Sequence, residues 1–301
     1  MKILLFGKDG QLGWELQRAL APLGEVIACG RAEADFADPD AACVLVRRHT
    51  PEIVINAAAY TAVDRAESEP ELARRINNES VGRLAQEVRG IKAWLVHYST
   101  DYVFDGAKDG PYTESDPTAP LSVYGRTKRD GEEAIRAAGC KHLILRTSWV
   151  YAARGENFVK TILRLAKERD SINVVSDQVG APTSAELVAD ITALCMYRLT
   201  HCHALAKRAS GTYHLTASGQ TNWQRYARLI IAEAVRYGAI IRLGPEGVTP
   251  IPTSEYPLPA KRPLNSRLDT KKICDAFGVA LPLWPVHVKR MVSELVYVGS
   301  I

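Results

Sequence analysis

The chain has 301 residues, of which 47% are hydrophobic and 24% charged, and its formal net charge is +4. This composition predicts a globular protein with a sizeable core, and the charge is too small to predict a nucleic-acid partner. Six scattered cysteines without a C-x-x-C pair, no signal peptide and no apolar run of membrane-spanning length predict a cytoplasmic protein with reduced thiols.

The first twenty residues predict a strand, a glycine-rich turn and a helix. An apolar run at 2–6 is stopped by Gly7, and Gly10 and Gly13 follow before helical spacing continues at 14–20. A tight turn that needs positive φ is the simpler explanation of these glycines. Their place in the first strand-to-helix turn favours nucleotide binding, with a pyrophosphate at the helix N-terminus.

A second strand at 26–29 is followed by Gly30 and Arg31. NAD-specific sites usually place an acid here to hold the ribose 2′-hydroxyl, whereas an arginine suits a 2′-phosphate. Arg31 therefore favours NADP(H). The acids Glu33 and Asp35 leave NAD(H) open, and Arg31 as a solvated loop residue is the alternative.

The next segments alternate between strands and helices. Strands are predicted at 53–56, 93–99 and 143–147, and an amphipathic helix at 71–88. This pattern predicts an α/β fold with a doubly wound (Rossmann) parallel sheet. Ligands of such sheets gather at the carboxyl ends of strands, where Asn56, Thr100 and Trp149 fall.

After residue 150 the predicted strands are short and alternate with helical stretches. We expect residues 1–150 to form the dinucleotide-binding domain and residues 151–301 a smaller α+β substrate-binding lobe, although the segment 212–215 is also placed to return to the sheet. A proline-rich connector at 248–266 has the length of a binding segment, and its Arg262 fits a phosphate or a solvated position equally well.

The strand predicted at 93–99 leads to the residues with the clearest chemistry. Tyr124 and Lys128 are four residues apart on a predicted helix and so share one face. An ammonium beside a phenol lowers the phenol's pKa, which would let Tyr124 protonate a carbonyl oxygen. The hydroxyl of Thr100 at the strand end would hold the same oxygen. Tyr-x-x-x-Lys alone is a weak pattern, since most such pairs lie on helix surfaces.

Several motifs together resemble the extended short-chain dehydrogenase/reductases that act on nucleotide sugars, and within them the dTDP-4-dehydrorhamnose reductases. They are GKDGQLG, NAAAYTAVDRAE, HYSTDYVFDG, VYGRTK, RTSWVY, VGAPTSAELVAD and KRPLNSRLDT. The resemblance covers nearly the whole chain. It implies NADPH-dependent reduction of the C4 ketone of dTDP-4-dehydro-L-rhamnose, a step toward cell-surface polysaccharide.

The resemblance also implies roles for individual residues. Tyr124 would donate the proton, Lys128 would lower its pKa and hold the nicotinamide ribose, and Thr100 would orient the carbonyl oxygen. The cofactor would contact Gly10, Gln11, Leu12, Asp35, Phe36, Ala59, Tyr60, Thr61 and Tyr98, in addition to Gly7, Gly13 and Arg31, which the glycine turn and the second strand already predict. The deoxysugar would contact Thr100, Asp101 and Trp149, with Val63 and Tyr102 as further candidates, although a core position is the alternative for Trp149.

Two features depart from the family pattern. The chain is shorter than its relatives after the second strand, and Gly30 stands where an acid is common. Some relatives are similar in pairing as homodimers through a magnesium ion held by glutamates. Glu186 and Glu294 match those positions, but isolated surface glutamates are usually solvated.

Three other functions compete with the reductase. A 4,6-dehydratase carries a glutamate after its Thr-Asp pair, where Tyr102 stands here, so dehydration is disfavoured. Another nucleotide-sugar 4-ketoreductase or an epimerase stays open. A non-catalytic NADP-binding regulatory subunit, similar to the β subunit of methionine adenosyltransferase, is the alternative from another class.

Overall fold

The computed structural model describes residues 1–298. Its strands are β1 (Lys2–Phe6), β2 (Glu25–Cys29), β3 (Ile53–Asn56), β4 (Trp94–Thr100), β5 (Lys141–Thr147), β6 (Val150–Tyr151), β7 (Ile172–Val175), β8 (Val179–Gly180), β9 (Thr183–Ser184), β10 (Gly211–His214), β11 (Thr221–Asn222) and β12 (Val248–Ile251). Its α-helices are α1 (Gln11–Leu20), α2 (Ala41–His49), α3 (Val63–Ala66), α4 (Pro70–Arg74), α5 (Ser80–Gly90), α6 (Val123–Ala138), α7 (Phe158–Glu168), α8 (Ala185–His201), α9 (His203–Ala206), α10 (Trp223–Arg236), α11 (Lys271–Phe277) and α12 (Pro285–Tyr297). No helix among these residues is long and apolar enough to cross a membrane.

Six parallel strands form the main sheet in the order β10-β5-β4-β3-β1-β2. Alternate residues of β1 supply the two cores: Ile3 and Leu5 pack on the face covered by α1 and α8, and Leu4 and Phe6 on the face covered by α5 and α6. The prediction of a doubly wound sheet is confirmed. The strand order reverses between β1 and β3, which is where such sheets bind ligands.

Residues beyond 150 contribute to both the sheet and a separate core. β10 pairs in parallel with β5, and α8 packs on α1. A third apolar cluster joins α7, α10 and α12 with the short parallel pair β7 and β12. The division of the chain at residue 150 stays a prediction. β10 and α8 follow residue 150 in the sequence, yet they pack with strands and helices of the first 150 residues.

The amphipathic helix predicted at 71–88 contains a π turn at Arg75–Glu79 between α4 and α5. The wider turn holds Asn77, which is buried and bonds to the backbone of Tyr60 and to the Thr127 hydroxyl of α6. π turns of this kind are frequent at functional sites. Here the turn supports both the loop after β3 and the helix that carries Tyr124.

A buried ion pair fixes α6 to the sheet. Both oxygens of Glu132, on α6, accept hydrogen bonds from Arg146 of β5, at 2.8 and 2.6 Å, and Ser99 of β4 donates a third at 2.5 Å. Burial by itself raises the pKa of Glu132, but the bonds from Arg146 and Ser99 outweigh it and hold the pKa below its ordinary value. Removing one partner would leave the other charge buried alone.

We predict that Glu132→Ala lowers the free energy of unfolding by about 3–5 kcal/mol, because Arg146 stays buried without a counter-ion. Urea denaturation followed by circular dichroism measures the loss. The matched control is Arg136→Ala. Arg136 is a second partner of the Glu132 carboxylate, but it lies 3.3 Å away and its side chain is 41% exposed. This substitution should cost less than about 1 kcal/mol; equal losses in the two variants would contradict the prediction.

Candidate active site

The first turn of α6 places Tyr124 close to the end of β4. Ser122 caps the helix by accepting from the N–H of Gly125 at 3.2 Å, and Glu67 accepts from the N–H of Val123 at 2.8 Å. A Cβ on Gly125 would lie 2.2 Å from the carbonyl oxygen of Tyr102. Glycine at this position therefore lets the helix pack directly on the turn after β4.

Four predicted residues meet at that turn, namely Thr100, Asp101, Tyr102 and Tyr124. Thr100 donates to the Asp101 carboxylate at 3.1 Å and accepts from the N–H of Tyr102 at the same distance, and its hydroxyl acts to lower the pKa of Tyr124. The rings of Tyr102 and Tyr124 meet edge to face, with centroids 5.7 Å apart. The structure thus brings a phenol and a hydroxyl together, as a shared carbonyl oxygen would require.

Lys128 is not among the groups that shift the pKa of Tyr124. Burial raises the pKa of Tyr124 and the nearby Asp101 carboxylate raises it further, while Thr100 opposes both. The amine of Lys128 lies instead against β4, where it donates to the carbonyl oxygen of Tyr98 at 2.6 Å and lies 3.2 Å from Nε2 of His97. Burial lowers the pKa of Lys128 to about 8, against the raising effect of Glu132.

Asp101 is a second buried acid at the site and is 3% exposed. Burial raises its pKa to about 6, although hydrogen bonds from Ser266 and Thr100 oppose the change. Its Oδ2 has no hydrogen-bond partner within residues 1–298. A buried carboxyl oxygen without a partner is costly, so it is a candidate ligand contact.

The glycine-rich turn has the geometry of a phosphate cradle. Gly7 has φ +84°, and a Cβ there would lie 2.7 Å from the backbone of Ala57 and Ala58. Gly13 allows α1 to start against the carbonyl of Gly7, which a Cβ would approach to 1.9 Å. Gly10 precedes the helix without any side-chain cap. The first N–H groups of the helix, from Gln11 and Leu12 onward, therefore have no side-chain acceptor there.

A cavity of about 220 Å³ lies beside this turn. Its lining joins the turn to the ends of β2 and β3: Gly7, Asp9, Gly10, Gly30, Arg31, Ala34, Asp35, Phe36, Ala57, Ala58, Ala59 and Ile76. Six predicted cofactor residues are in this lining, namely Gly7, Gly10, Arg31, Asp35, Phe36 and Ala59.

Arg31 borders the cavity with its side chain 78% exposed and 3.7 Å from Asp35. Glu33, the other acid near it, is held by the N–H of Gly30 at 2.7 Å and by Lys8 at 2.5 Å. The Glu33 carboxylate is thus already bonded to protein groups.

Other predicted cofactor residues are placed less directly. The Tyr60 phenol donates to Glu69 at 2.5 Å, and Thr61 beside it is exposed. The Tyr98 ring packs on the α8 side of the sheet, where its phenol bonds Thr192 at 2.9 Å. Only the carbonyl of Tyr98 faces Lys128. A cofactor contact by the Tyr98 ring therefore has no support in this geometry.

A larger cavity of about 530 Å³ is lined by the turn after β4, by α7, β7 and α10, and by the proline-rich connector. Apolar and aromatic side chains line most of it, and its polar lining residues are Thr161, Asn173, Gln178, Thr253, Lys261 and Arg262. Tyr102 belongs to the lining and touches Tyr124. The cavity therefore adjoins the phenol through one shared ring.

Trp149 does not line this cavity itself but stacks on Trp223, which does. The two indoles stack at 3.7 Å between centroids and 16° between planes, and Trp223 lines the cavity. Trp149 has φ +49°, an uncommon value for a large residue, and its ring fills the space where Gly180 has no side chain. The predicted alternative for Trp149, a core aromatic, describes only part of this environment.

The proline-rich connector closes one side of the larger cavity. Arg262 forms two hydrogen bonds to Asp64, the residue after Val63, at 3.1 and 2.7 Å, and Asp64 also accepts from the N–H of Ala260. Arg262 is therefore paired with protein, rather than solvated or free for phosphate.

Sequence reasoning missed Trp223, Phe158 and Ser266 at the site, because an aromatic on an amphipathic helix or a loop serine carries no distinctive pattern.

The predicted metal ligands do not form a metal site within residues 1–298, which contain no group of three or more acidic, histidine or cysteine side chains placed to hold an ion. Glu186 and Glu294 both pair with Arg290, at 3.6 and 3.0 Å. His287, whose Nδ1 lies 3.7 Å from the Glu186 carboxylate, lowers the pKa of Glu186. An arginine between the two carboxylates takes the place that a cation would fill.

Comparison with known proteins agrees with this geometry. The family model described as the RmlD substrate binding domain matches residues 1–297. The sequence is 52% identical over 306 positions to the dTDP-4-dehydrorhamnose reductase of Escherichia coli K12, with 98% of each chain covered. The solved dTDP-4-dehydrorhamnose reductase of Clostridium acetobutylicum matches with a TM-score of 0.86 at 35% identity over the whole of both chains. The Bacillus anthracis reductase, solved in complex with NADP, also has a TM-score of 0.86, at 33% identity over 97% of this chain and 99% of that one.

We predict that Asp101 makes folding stability fall as pH rises. Its folded pKa of about 6 exceeds the ordinary value of 3.8, so its contribution is complete below about pH 4 and lost as pH rises through 6. The loss is about 3 kcal/mol, and Asp101→Asn should remove it from the pH profile of urea denaturation. Asp109→Asn, at an exposed position, is the control; an unchanged profile for Asp101→Asn would contradict the prediction.

Proposed function

We propose, from the premise that this chain belongs to the dTDP-4-dehydrorhamnose reductase family, that it reduces the C4 ketone of dTDP-4-dehydro-β-L-rhamnose to dTDP-L-rhamnose. It is an NADPH-dependent oxidoreductase of nucleotide-sugar metabolism. The observation that carries the proposal is the placement of Tyr124, Thr100 and Lys128 around the end of β4, in a fold that also has a glycine-turn cavity and a larger cavity lined by Tyr102, which contacts Tyr124.

The cofactor site fits a dinucleotide. The first N–H groups of α1 would hold the pyrophosphate, since neither a Cβ nor a capping side chain occupies the cradle. The cavity beside Arg31, Asp35 and Phe36 would take the adenosine end, with the guanidinium on the 2′-phosphate. When bound, NADPH supplies the hydride for the ketone. NAD(H) as a second cofactor stays a prediction.

The protein's own groups would stabilise the alkoxide. In the proposed reaction Thr100 donates a hydrogen bond to the carbonyl oxygen and Tyr124 gives that oxygen its proton. Because burial and Asp101 both raise the pKa of Tyr124, the phenol keeps its proton until charge develops on the oxygen. Lys128, held by the Tyr98 carbonyl, would then stabilise the phenolate as an ammonium.

The larger cavity would hold the dTDP-sugar. Its aromatic lining suits a nucleobase, and Tyr102 connects it to Tyr124. Asp101 lies beside Thr100 with one oxygen unpaired in the described chain, which suits a sugar hydroxyl. Trp149 would support the sugar through its stack with Trp223, and Val63 lies next to the Asp64–Arg262 pair.

Other parts of the expected biology stay predictions: the homodimer, a bound magnesium ion and a cytoplasmic location. The ion pairs of Glu186 and Glu294 with Arg290 do not support magnesium in the single chain.

A regulatory subunit would bind NADPH without consuming it, and an epimerase would leave a ketone. Mixing the protein with NADPH and the keto-sugar, while following cofactor absorbance and the product by NMR, separates all three.

We predict that Tyr124→Phe lowers kcat for the keto-sugar by about 10²- to 10⁴-fold, because the general acid is lost. Binding of NADPH, measured by fluorescence titration, should change little. Tyr197→Phe, which removes a phenol from the exposed face of α8, is the matched control and should keep full turnover. Turnover of Tyr124→Phe within a few-fold of the wild type would refute this role.

We predict that Arg31→Ala weakens NADPH binding about three- to tenfold while NADH binding changes less than about twofold, since only NADPH carries the 2′-phosphate. Isothermal titration with both cofactors measures the two affinities. Arg48→Ala is the control for a general change in surface charge, because Arg48 is also exposed and lies on α2 outside the cavity lining. Equal losses for the two cofactors would remove the 2′-phosphate assignment.

A further inference from the structure

A chain of three buried side chains runs from the end of β3 to the amine of Lys128. Nδ2 of Asn56 lies 3.2 Å from Nδ1 of His97, and Nε2 of His97 lies 3.2 Å from Nζ of Lys128. Asn56 is 1% exposed, His97 0% and Lys128 2%. We propose that Asn56 holds His97 in the tautomer with its proton on Nε2, and that this ring is a positioning residue that favours the uncharged amine of Lys128.

The backbone fixes the orientation of the Asn56 amide. Its Oδ1 accepts the N–H of Ala58 at 3.0 Å. A flipped amide would set its NH₂ against that N–H, so the NH₂ must face His97. Asn56 therefore presents a donor to the imidazole.

This donor selects one form of the ring. Nδ1 of His97 has to accept from Asn56, so a neutral imidazole carries its proton on Nε2. Burial lowers the pKa of His97 well below its ordinary value, and the neighbouring Lys128 lowers it further. The ring is thus neutral, and its Nε2–H points at the amine of Lys128.

The uncharged amine and the ammonium of Lys128 differ in the hydrogen bonds that they can form with His97. An uncharged amine has a lone pair that accepts from Nε2–H while one of its own N–H groups donates to the Tyr98 carbonyl. An ammonium has no lone pair, so it would set an N–H against the N–H of His97. His97 therefore disfavours the charged form of Lys128, in the same direction as burial.

The surrounding charges do not reverse this direction. Glu132, one turn along α6, raises the pKa of Lys128, but its carboxylate is shared with Arg146 of β5, Ser99 of β4 and Arg136. From the turn after β4, Asp101 and Tyr102 face Tyr124. Asn77 of the π turn and Thr127 bring only neutral groups.

The consequence rests on the proposed function. There the ammonium of Lys128 stabilises the Tyr124 phenolate, so turnover falls as pH rises through the pKa of the lysine. The tautomer of His97 then sets the alkaline limit of the reaction, although His97 does not touch the substrate.

The first test is direct and needs no turnover. ¹⁵N NMR of histidine-labelled protein distinguishes the two tautomers, and the His97 signals are assigned by their loss in His97→Gln. We expect a protonated Nε2 and an unprotonated Nδ1 throughout pH 6–9. A proton on Nδ1, or an imidazolium, would overturn the proposal.

The second test reverses the donor. Asn56→Asp keeps an acceptor for Ala58 but presents an acceptor to Nδ1, so the ring should move its proton to Nδ1 and offer Nε2 to the lysine ammonium. We expect the pKa of Lys128, read from its ¹³Cε shift, and the alkaline limb of kcat to rise by about one unit. Asn77→Asp puts a carboxylate at another buried asparagine that bonds Tyr60 and Thr127 instead of His97, and should leave the tautomer unchanged.

The outcomes separate this inference from the proposed function. If the wild-type protein does not reduce the keto-sugar, the proposed function is wrong, but the NMR results still decide the role of His97. An Asn56→Asp protein with a switched tautomer and an unshifted Lys128 pKa overturns the positioning role, as does an equal shift in Asn77→Asp. If Asn56→Asp does not fold, the tautomer of the wild type decides.

Discussion

The hydrogen bond from the Lys128 amine to the carbonyl oxygen of Tyr98 is the contact on which the site depends. It joins the helix that carries Tyr124 to the strand that ends in Thr100. The bond forms because α6 lies unusually close to its neighbours: Gly125 packs on the Tyr102 carbonyl, and a Cβ on Gly131 would lie 2.1 Å from the carbonyl of Asn77. Close packing of backbone on backbone leaves the side chains little freedom, which is how a site on rigid elements keeps its geometry.

Two buried acids near this helix have opposite roles. Glu132 is fully paired with Arg146 and Ser99, so it ties α6 to β4 and β5 and keeps its charge. Asp101 has fewer partners, and burial raises its pKa to about 6. The satisfied acid is structural, whereas the under-bonded acid faces the phenol and costs stability when ionised. Sites that bind ligands commonly retain such unpaired polar groups, because the ligand completes their bonding.

The sequence was sufficient for the sheet, because apolar runs followed by glycine or by Ser99-Thr100 predicted the strands. Helix spacing and the strand end also predicted that Tyr124 and Thr100 lie close together, which the structure shows. The sequence was not sufficient for the direction of the Lys128 amine, since spacing along a helix says nothing about a strand carbonyl that competes for the same donor. Trp223 was missed for a similar reason: its stack on Trp149 joins residues 74 positions apart and depends on a backbone at φ +49° that no local pattern indicates.

The chain path explains where the two cavities lie relative to the end of β4. β1 and β3 meet where the strand order reverses, and the glycine turn and the Ala57–Ala58 backbone build the nucleotide cradle there. The strand next to β3 is β4, so its end lies one position along the same edge. The larger cavity needs elements from far along the chain, namely α7, α10 and the connector that Arg262 pins to Asp64. The Arg262–Asp64 pair joins the connector to the segment after β3, so the connector that closes one side of the larger cavity is attached to the part of the sheet that builds the cradle. This attachment holds the two cavities in a fixed position relative to each other.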